Sequence, residues 1–432
     1  MSRPIVFDVT HLVHRVAYDA PSGIDRVDLA YGRYFGLNPG RIAAAIHYGN
    51  IQPQVLPPTR AAEAVRRLEE RWRETITLEG DPAFGAARQW LRGLPITKPP
   101  TSLSRVETIE RKFRIGVLPF FRYAKAKKLT APSGTVPEGA IYLNIAQHAM
   151  EHAEFFTWLR ERRDIQRVFF LHDLLPLDHP EFWWTDHKAL FERRVRVMAE
   201  HATALITSSQ SVSDRARIEM AQYGKPNIPI FAHPLPSPIE TDETASYFDP
   251  EISGLPYFVV VGTIEARKNH VLLLNVWRDL ASRGGKVPKL VVIGKRGWEN
   301  EQAVGLLERC TALESAVLEI SGLSNAGLRS LIANARALLM PSFAEGYGLP
   351  LIEALSLGTP VVASDIPVFR ETTQGKAMFL DPIDGLGWRD AIQQLADANS
   401  PRALAAREAA AAYVPQTTAK YFQAIETFLA SL

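Results

Sequence analysis

Two glutamates, Glu345 and Glu353, bracket a loop that contains Gly346 and Gly348. The loop follows an apolar run typical of a strand and leads into a helical pattern, with Glu345 expected in the loop and Glu353 in the first turn of the helix. Glycines let a backbone approach a ligand closely, and a helix N-terminus offers N–H groups and partial positive charge to a phosphate. Two carboxylates here suit a hydroxyl-rich ligand that also carries phosphate. The alternative is that they only interact with the helix dipole.

Positive charge comes from Arg267 and Lys268, which follow an apolar run and a turn at Gly262. A guanidinium beside an ammonium can stabilise the growing charge of a departing diphosphate, and one well-placed donor changes a rate by roughly 10²–10³. The alternative is that both are solvated loop charges. A divalent metal could do the same work, but the chain has no Asp-x-Asp triplet, so no metal site is expected. It also has no P-loop, and no G-x-G-x-x-G follows the first strand, which disfavours kinase, ATPase and dehydrogenase functions.

The Glu-x7-Glu spacing in this setting resembles glycosyltransferase family 4, whose members are retaining enzymes with the GT-B fold. The segments Val261 to Asn269 and Pro360 to Asp365 support the resemblance, which covers roughly residues 257 to 371 and is looser in the N-terminal half. It implies a bacterial surface-polysaccharide enzyme that moves a hexose such as mannose from a UDP- or GDP-linked donor to a glycan or lipid-linked acceptor. The nucleotide sugar is a substrate, so no cofactor is expected.

The same resemblance implies roles for individual residues. Glu345 would face the hydroxyls of the transferred sugar, Glu353 would accept hydrogen bonds from the ribose, and the base would lie against the turns that begin at Gly294 and Gly322. The implied catalytic residues are His172, Arg267, Lys268 and Glu345. The implied donor-binding residues are Gly23, Gly262, Arg267, Lys268, Gly294, Lys295, Leu323, Gly346, Tyr347, Gly348, Leu349 and Glu353.

The N-terminal half contributes further candidates. Gly23 lies in a loop that runs into a helix, and the resemblance places this loop opposite the donor phosphates. His172 ends a strand at a position that contacts the transferred sugar in the family, although a strand-end histidine can equally be an ordinary hydrogen-bonded residue. His11 follows the first strand and is another candidate. Ser208 and Ser209 end another strand and are either acceptor contacts or the N-cap of the next helix.

Alternating strands and helices are expected to position these residues. In the second half, apolar runs typical of strands buried on both faces occur at residues 257–264, 289–294, 317–322, 337–342, 359–365 and 377–381. In the first half they occur at residues 5–10, 42–48, 140–145, 167–171, 204–208 and 228–232. Helical spacing between the runs, as at Leu273, Leu274 and Trp277, predicts two Rossmann-like, doubly wound parallel-sheet domains of α/β class that face a central cleft.

The expected organisation is an acceptor-binding domain over residues 1–240, interrupted by an insert at about 53–137, and a nucleotide-sugar-binding domain over residues 257–415. Residues 416–432 are expected to form a helix that packs back on the N-terminal domain. The proline-rich and acidic stretch 233–243 buries no obvious apolar surface and is typical of an interdomain linker.

Residues 105–128 carry eight basic side chains against two acidic ones, with apolar residues at three- and four-residue steps. This pattern favours docking on an anionic membrane surface that presents a lipid-linked acceptor. The alternative is a packed helix with a solvated basic face.

Length and composition narrow the remaining classes. A chain of 432 residues suits two domains, and a net charge of +2 gives no reason to expect nucleic acid as a partner. A single cysteine, Cys310, is typical of a reducing compartment, and no apolar run is long enough for a signal peptide or a membrane-spanning helix. We therefore expect a cytoplasmic protein, with peripheral attachment at the inner face of the membrane as an option. The alternatives in function are a nucleotide-sugar epimerase or phosphorylase on the same fold and a non-catalytic sugar-nucleotide binder.

Overall fold

The computed structural model describes residues 3–15, 21–38, 40–48, 53–73, 78–96, 136–239 and 247–432. Within these ranges the chain forms two β-sheets. The basic stretch 105–128 and the acidic end of the expected linker, residues 240–243, lie outside the described residues.

The N-terminal sheet is built from strands that are parallel except at one edge. Its strands are β1 (Ile5–Asp8), β2 (Ala44–His47), β3 (Gln54–Leu56), β4 (Ile141–Asn144), β5 (Gln166–Leu171), β6 (Ala204–Thr207) and β7 (Ile230–Ala232). The helices of this half are α1 (Thr10–Arg15), α2 (Gly23–Tyr31), α3 (Pro58–Arg73), α4 (Pro82–Leu91), α5 (Trp158–Glu161), α6 (Leu175–Asp178), α7 (His187–His201) and α8 (Gln210–Gln222). The strand order is β3-β2-β1-β4-β5-β6-β7.

Strand β3 adds an antiparallel edge to the predicted parallel sheet, because it pairs antiparallel with β2. Its three residues lie between Pro53 and Pro57, and so short a run has no recognisable strand pattern. The other neighbouring strands of this sheet are parallel.

The C-terminal sheet is parallel throughout, with the order β10-β9-β8-β11-β12-β13. Its strands are β8 (Tyr257–Val261), β9 (Lys289–Ile293), β10 (Val317–Ile320), β11 (Ala337–Met340), β12 (Val361–Ser364) and β13 (Met378–Leu380). The helices of this half are α9 (His270–Ser282), α10 (Glu301–Arg309), α11 (Asn325–Ala333), α12 (Leu349–Ser356), α13 (Pro367–Thr372), α14 (Gly385–Ala396), α15 (Pro401–Ala411) and α16 (Thr418–Ala430).

Both faces of the C-terminal sheet are buried, which explains its continuous apolar runs. Tyr257 and Val259 of β8 point into one core cluster, and Phe258 and Val260 point into another on the opposite face. Each apolar run that was predicted as a strand overlaps a strand of the structure. The doubly wound α/β class is therefore confirmed.

Helix α4 comes from the N-terminal half but packs on the C-terminal sheet. One oxygen of Asp81 accepts from the Ala83 and Phe84 backbone amides and so caps α4. Its other oxygen accepts from the Ser324 amide at 2.7 Å, where α11 begins. The side chain of Lys289 in β9 donates to the carbonyl of Trp90. The predicted insert therefore contacts both halves of the chain.

Helix α16, at the other end of the chain, packs against α2 and the π-helical turn that follows it. The Tyr421 and Tyr31 hydroxyls are 2.7 Å apart, and the rings of Phe422 and Tyr34 stack with centroids 4.1 Å apart. Tyr421 and Phe422 are fully buried there.

The described part of the expected linker, residues 233–239, is packed and not loose, which corrects the expectation that it buries little. Leu235 and Ile239 are buried, and Ser237 donates from its amide to Gln416 and from its hydroxyl to Ser356. Apolar residues spaced by prolines gave no helical or strand period from which this burial could be read. Among the described residues, no helix is both long and apolar enough to cross a bilayer.

Candidate active site

The loop between β11 and α12 carries the two glutamates. Gly348 has φ of +98°, and a Cβ there would lie 2.9 Å from the Phe369 ring, so this turn requires glycine. The helix begins only after Gly348, at Leu349, and Glu353 is its fifth residue. The prediction that Glu353 lies in the first turn is therefore wrong, because the loop runs further than the pattern indicated.

Arg267 and Lys268 enclose the carboxylate of Glu345. Arg267 Nη1 lies 2.7 Å from Glu345 Oε2, and Lys268 Nζ donates to Glu345 Oε1 at 2.5 Å. Arg267 also donates to Glu265 at 2.6 Å and to the carbonyl of Ala344 at 2.6 Å. The short 3₁₀ turn after β8 thus presents both cations to the loop after β11, at the carboxyl edge of the sheet.

The charged forms of Glu345 and Arg267 stabilise each other in this cluster. Burial opposes the charge on Glu345, but Arg267 and Lys268 outweigh it and lower the pKa of the carboxyl to about 2. Burial also opposes the charge on Arg267, while Glu345 and Glu265 raise the pKa of the guanidinium above its ordinary value. Burial raises the pKa of Glu265. Glu345 is therefore ionised at neutral pH and is shared by two cations.

His172 and Asp173 follow β5 and face the loop between β11 and α12 from the N-terminal half. A Cβ at Gly346 would lie 2.9 Å from Asp173 Oδ2 and 3.0 Å from the carbonyl of His172, so the two halves meet closely here. His172 Nε2 donates to the Ile145 carbonyl at 2.9 Å, and burial lowers the pKa of the ring to about 4. The neutral ring therefore keeps Nδ1 as an acceptor. Burial raises the pKa of Asp173, against the opposing effect of Arg267.

The start of α2 lies against the same loop. A Cβ at Gly23 would lie 3.6 Å from the side chain of Leu349. One turn along α2, Arg26 Nη1 donates to Glu353 Oε1 at 2.5 Å, and the Glu353 side chain is only 3% exposed. The carboxylate that the resemblance assigns to the ribose is thus paired with an arginine from the opposite half.

Asp25 fixes the geometry of this helix start. Its carboxylate lies 2.7 Å from His11 Nε2 and 2.6 Å from Arg15 Nη2, and its pKa is lowered to about 2 because these bonds and the Ser22 amide outweigh burial. His11 is therefore engaged in holding α1 against α2. Ser209 accepts from the Val212 amide at 3.2 Å, which confirms the N-cap alternative for this serine.

Of two predicted glycines, Gly262 lies beside Lys268 and Gly294 lies against the backbone of Gly262. A Cβ at Gly262 would lie 3.4 Å from Lys268 Cε, and one at Gly294 would lie 1.9 Å from the Gly262 carbonyl oxygen, so a side chain at Gly294 is sterically excluded. Lys295 is exposed, and its carbonyl accepts from the Ile264 amide at 2.8 Å.

Tyr347 and Leu323 lie at the margin of the site around Glu345. Tyr347 is buried and its hydroxyl donates to the Leu235 carbonyl at 3.2 Å, so its side chain faces the segment between the two halves and only its backbone faces the cleft. Leu323 is half-buried against Gly327, next to the point where Asp81 meets α11. The arrangement thus brings together the predicted residues around Glu345 but leaves these two at its margin.

A cavity of about 780 Å³ opens between α2, the connecting segment 235–238 and α16, and its lining includes none of Arg267, Lys268, Glu345 and Glu353. Arg26 and Leu349 line one side and Asn325, two residues after Leu323, lines another. This volume is within the range of small-molecule sites. No group of His, Cys, Asp and Glu in the described ranges is arranged to hold a metal ion.

Arg26, Asp173 and Glu265 are residues of the site that the sequence did not single out. Each lies within three residues of one that it did, in the same strand-end or helix-start loop. Their neighbourhood in these loops is the signal that could have found them.

The geometry can be compared with known proteins. Residues 243–409 match the family model described as glycosyl transferases group 1. The C-terminal domain is similar to this family over the matched residues. The match includes Arg267, Lys268, Glu345 and Glu353, and it confirms the resemblance found in residues 257 to 371.

Curated relatives of this family are similar over part of the chain. The chain is 33% identical over 225 residues to the serotype-specific mannosyltransferase WbdA of Escherichia coli, which covers 49% of this chain and 27% of WbdA. It is 29% identical over 226 residues to O-antigen chain mannosyltransferase B of Escherichia coli, covering 50% of this chain and 58% of that protein. It is 36% identical over 152 residues to O-antigen chain mannosyltransferase RfbU of Salmonella typhimurium, covering 33% and 40%. The chain thus matches less than two thirds of the length of each relative.

Solved structures show the fold over the whole chain. HepE of Anabaena in complex with UDP and glucose superposes with a TM-score of 0.58 over 100% of both chains, at 15% identity. The structure of trehalose-6-phosphate from E. coli bound with UDP-2-fluoro glucose superposes with a TM-score of 0.52 over 69% of this chain and 75% of that one, at 13% identity. The predicted GT-B fold is thereby confirmed.

Proposed function

We propose that this protein is a retaining, metal-independent hexosyltransferase of cell-surface polysaccharide assembly. It moves mannose or a similar hexose from a UDP- or GDP-linked donor to a glycan or lipid-linked acceptor, and it needs no cofactor beyond that donor. The observation that carries the proposal is the enclosure of ionised Glu345 by Arg267 and Lys268 at the carboxyl edge of the C-terminal sheet. The names of the mannosyltransferase relatives support the sugar and the biosynthetic setting.

In this proposal Arg267 and Lys268 stabilise the leaving group, which is the nucleoside diphosphate. When the bond between the anomeric carbon and the phosphate oxygen breaks, that oxygen keeps the electron pair and the diphosphate gains negative charge. Two cations and the start of α12 can stabilise that charge in a site shielded from water. Glu345 holds both cations in place and can accept hydrogen bonds from the sugar hydroxyls.

Retention is proposed to follow a front-face route within a tight ion pair. The carboxylate of Glu345 has a pKa of about 2 and is bonded by two cations, so it is a weak nucleophile. Proton NMR of the product formed in the first turnovers tests this step. Retention of the donor's anomeric configuration is expected, and inversion would contradict the route.

The ribose is proposed to lie at Glu353, which Arg26 meets from the opposite half, and the base against the turns that begin at Gly294 and Gly322. Thermal shift against a panel of nucleoside diphosphates tests this directly, and either UDP or GDP should raise the Tm while the other does less. A panel without any shift would contradict the donor assignment. Incubation of a donor labelled in its sugar with saccharide acceptors then distinguishes transfer from epimerisation. A transferase moves the labelled sugar to the acceptor, whereas an epimerase leaves it on the nucleotide. Absorbance near 330 nm would indicate a phosphorylase with pyridoxal phosphate.

Peripheral attachment at the inner face of the membrane is also proposed, on the composition of residues 105–128 alone. A basic residue near an anionic surface contributes about 1 kcal/mol, so an excess of six charges supports reversible, salt-sensitive binding. Co-sedimentation should show binding to vesicles with phosphatidylserine and none to pure phosphatidylcholine. Substituting Arg122, Lys125, Lys127 and Lys128 with Glu should abolish it and leave nucleotide affinity intact. Unchanged vesicle binding would refute this part of the proposal.

A further inference from the structure

A group of aromatic side chains from both halves of the chain meets beside the donor site. We name it the aromatic shelf, and its members are Phe182, Trp183, Trp184 and His187 of the N-terminal half and Trp298 and Phe343 of the C-terminal half. The rings of Trp184 and Trp298 meet edge to face with centroids 5.6 Å apart, and those of Phe182 and Phe343 stack at 5.7 Å. Trp298 Nε1 donates to the Phe182 carbonyl at 3.0 Å, which ties the two sides together.

The shelf is open to solvent. Trp184 is 48% exposed, and Phe182, Trp183, Trp298 and Phe343 are only half-buried. Burial of a large aromatic side chain stabilises a fold, so several rings left partly open together forgo that gain. Grouped exposure of this kind marks a binding surface.

Its position identifies what can bind. The Arg267 guanidinium lies 5.8 Å from the ring centroid of Trp183, and the Phe343 amide donates to the Arg267 carbonyl at 2.9 Å. The shelf therefore begins at the cation proposed to stabilise the leaving group and extends away from it toward Trp184. An acceptor must hold its attacking oxygen about 3–3.5 Å from the anomeric carbon, so the rest of an acceptor chain lies within reach of these rings.

We propose that the aromatic shelf binds a sugar ring of the acceptor glycan, one or more units away from the ring that receives the new sugar. This inference rests on the proposed glycosyl transfer. The C–H face of a pyranose is apolar and lies flat on an indole, while its hydroxyl edge needs polar partners. Glu181 and Asp186 flank the tryptophans in the same loop and are exposed, which suits those hydroxyls and does not suit a lipid chain.

The proposed role of the aromatic shelf is tested with acceptors of increasing length. Methyl α-glycosides of mannose, its disaccharide and its trisaccharide are used as acceptors with the donor identified by the thermal-shift panel. In Trp184→Ala the KM for the trisaccharide should rise about tenfold while that for the monosaccharide changes little, because only the longer chain reaches the shelf. Trp184→Phe keeps a flat ring and should restore most of the loss. Phe248→Ala removes a ring that is 62% exposed outside the shelf and should match the wild type.

The outcomes separate the shelf from the proposed function. A wild-type protein that binds no nucleoside diphosphate and transfers no sugar refutes the proposed function itself. A wild-type protein that transfers sugar, with equal trisaccharide KM values in wild type and Trp184→Ala, refutes the shelf. An effect confined to lipid-linked acceptors refutes it too. Nucleoside diphosphate affinity should be unchanged in Trp184→Ala. If this variant does not fold, the trisaccharide should alter the tryptophan emission of the wild type more than the monosaccharide does, and equal responses to the two sugars would refute the shelf.

Discussion

Replacing Lys268 with alanine should slow sugar transfer without unfolding the protein. Among the described residues, the side chain of Lys268 makes one hydrogen bond, to Glu345, and its loss leaves that buried carboxylate paired with Arg267 at 2.7 Å. We therefore expect a stability cost of about 1.5–3 kcal/mol, the usual range for one hydrogen bond to a charged group. The loss of one charged donor to the transition state should cost roughly 2.7–4 kcal/mol, or about 10²–10³ in kcat.

Arg267→Ala should behave differently because this side chain also bonds Glu265 and the Ala344 carbonyl. Its removal strips the guanidinium partner from Glu265 and one of the two cations from Glu345, and breaking a buried pair costs about 3–5 kcal/mol. The comparison of Tm values therefore shows which variant reports on chemistry and which on folding.

The assay combines three measurements on each variant: kcat with a saccharide acceptor, calorimetric affinity for the cognate nucleoside diphosphate, and thermal unfolding. Lys286→Ala removes an exposed lysine of the same half and serves as the control. If Lys268→Ala binds the diphosphate as tightly as the wild type and turns over within a few-fold of it, Lys268 does not act on the leaving group and the proposed mechanism is wrong.

Other measurements test the remaining parts of the site. Transfer should keep most of its rate in EDTA, because two side-chain cations stabilise the diphosphate; loss of activity on chelation that Mn²⁺ or Mg²⁺ restores would contradict this. Arg26→Met should raise nucleotide affinity several-fold, since the ribose no longer competes with a guanidinium for Glu353, and Glu353→Gln should lower it; weaker binding by Arg26→Met would mean that Arg26 contacts the nucleotide. The neutral His172 ring has a pKa of about 4 against an ordinary value of 6.5, so its share of stability is intact above pH 6.5 and is lost as the pH falls to about 4. His172→Asn should therefore show a smaller fall in Tm over that interval, and an identical fall would contradict a buried neutral ring.

The sequence predicted the sheets well because parallel strands that are buried on both faces have continuous apolar sequences. The same local information located the Glu345 loop and the basic pair at neighbouring strand ends. It failed where a boundary depended on one backbone angle, as at Gly348, which delays the start of the helix and moves Glu353 beyond its first turn.

Contacts between distant parts of the chain were beyond sequence reasoning. Arg26 and Glu353 are 327 residues apart, and neither the period nor the composition of either segment indicates that they pair. Tyr347 lies within the recognised motif, yet its side chain faces Leu235 because the packed connecting segment offers its hydroxyl an acceptor. Partners of this kind depend on how the two halves dock, which no local pattern encodes.

The crossed placement of α4 and α16 determines how this protein can be divided. Two gene fragments divided at the connecting segment would express a C-terminal half without Asp81 as the acceptor of the Ser324 amide, and an N-terminal half without Tyr421 and Phe422 over α2. Each fragment would expose an apolar surface that the other normally covers. Chimeras that exchange donor specificity between relatives should therefore carry α4 with the C-terminal half and α16 with the N-terminal half, and not cross over at Ser237 alone.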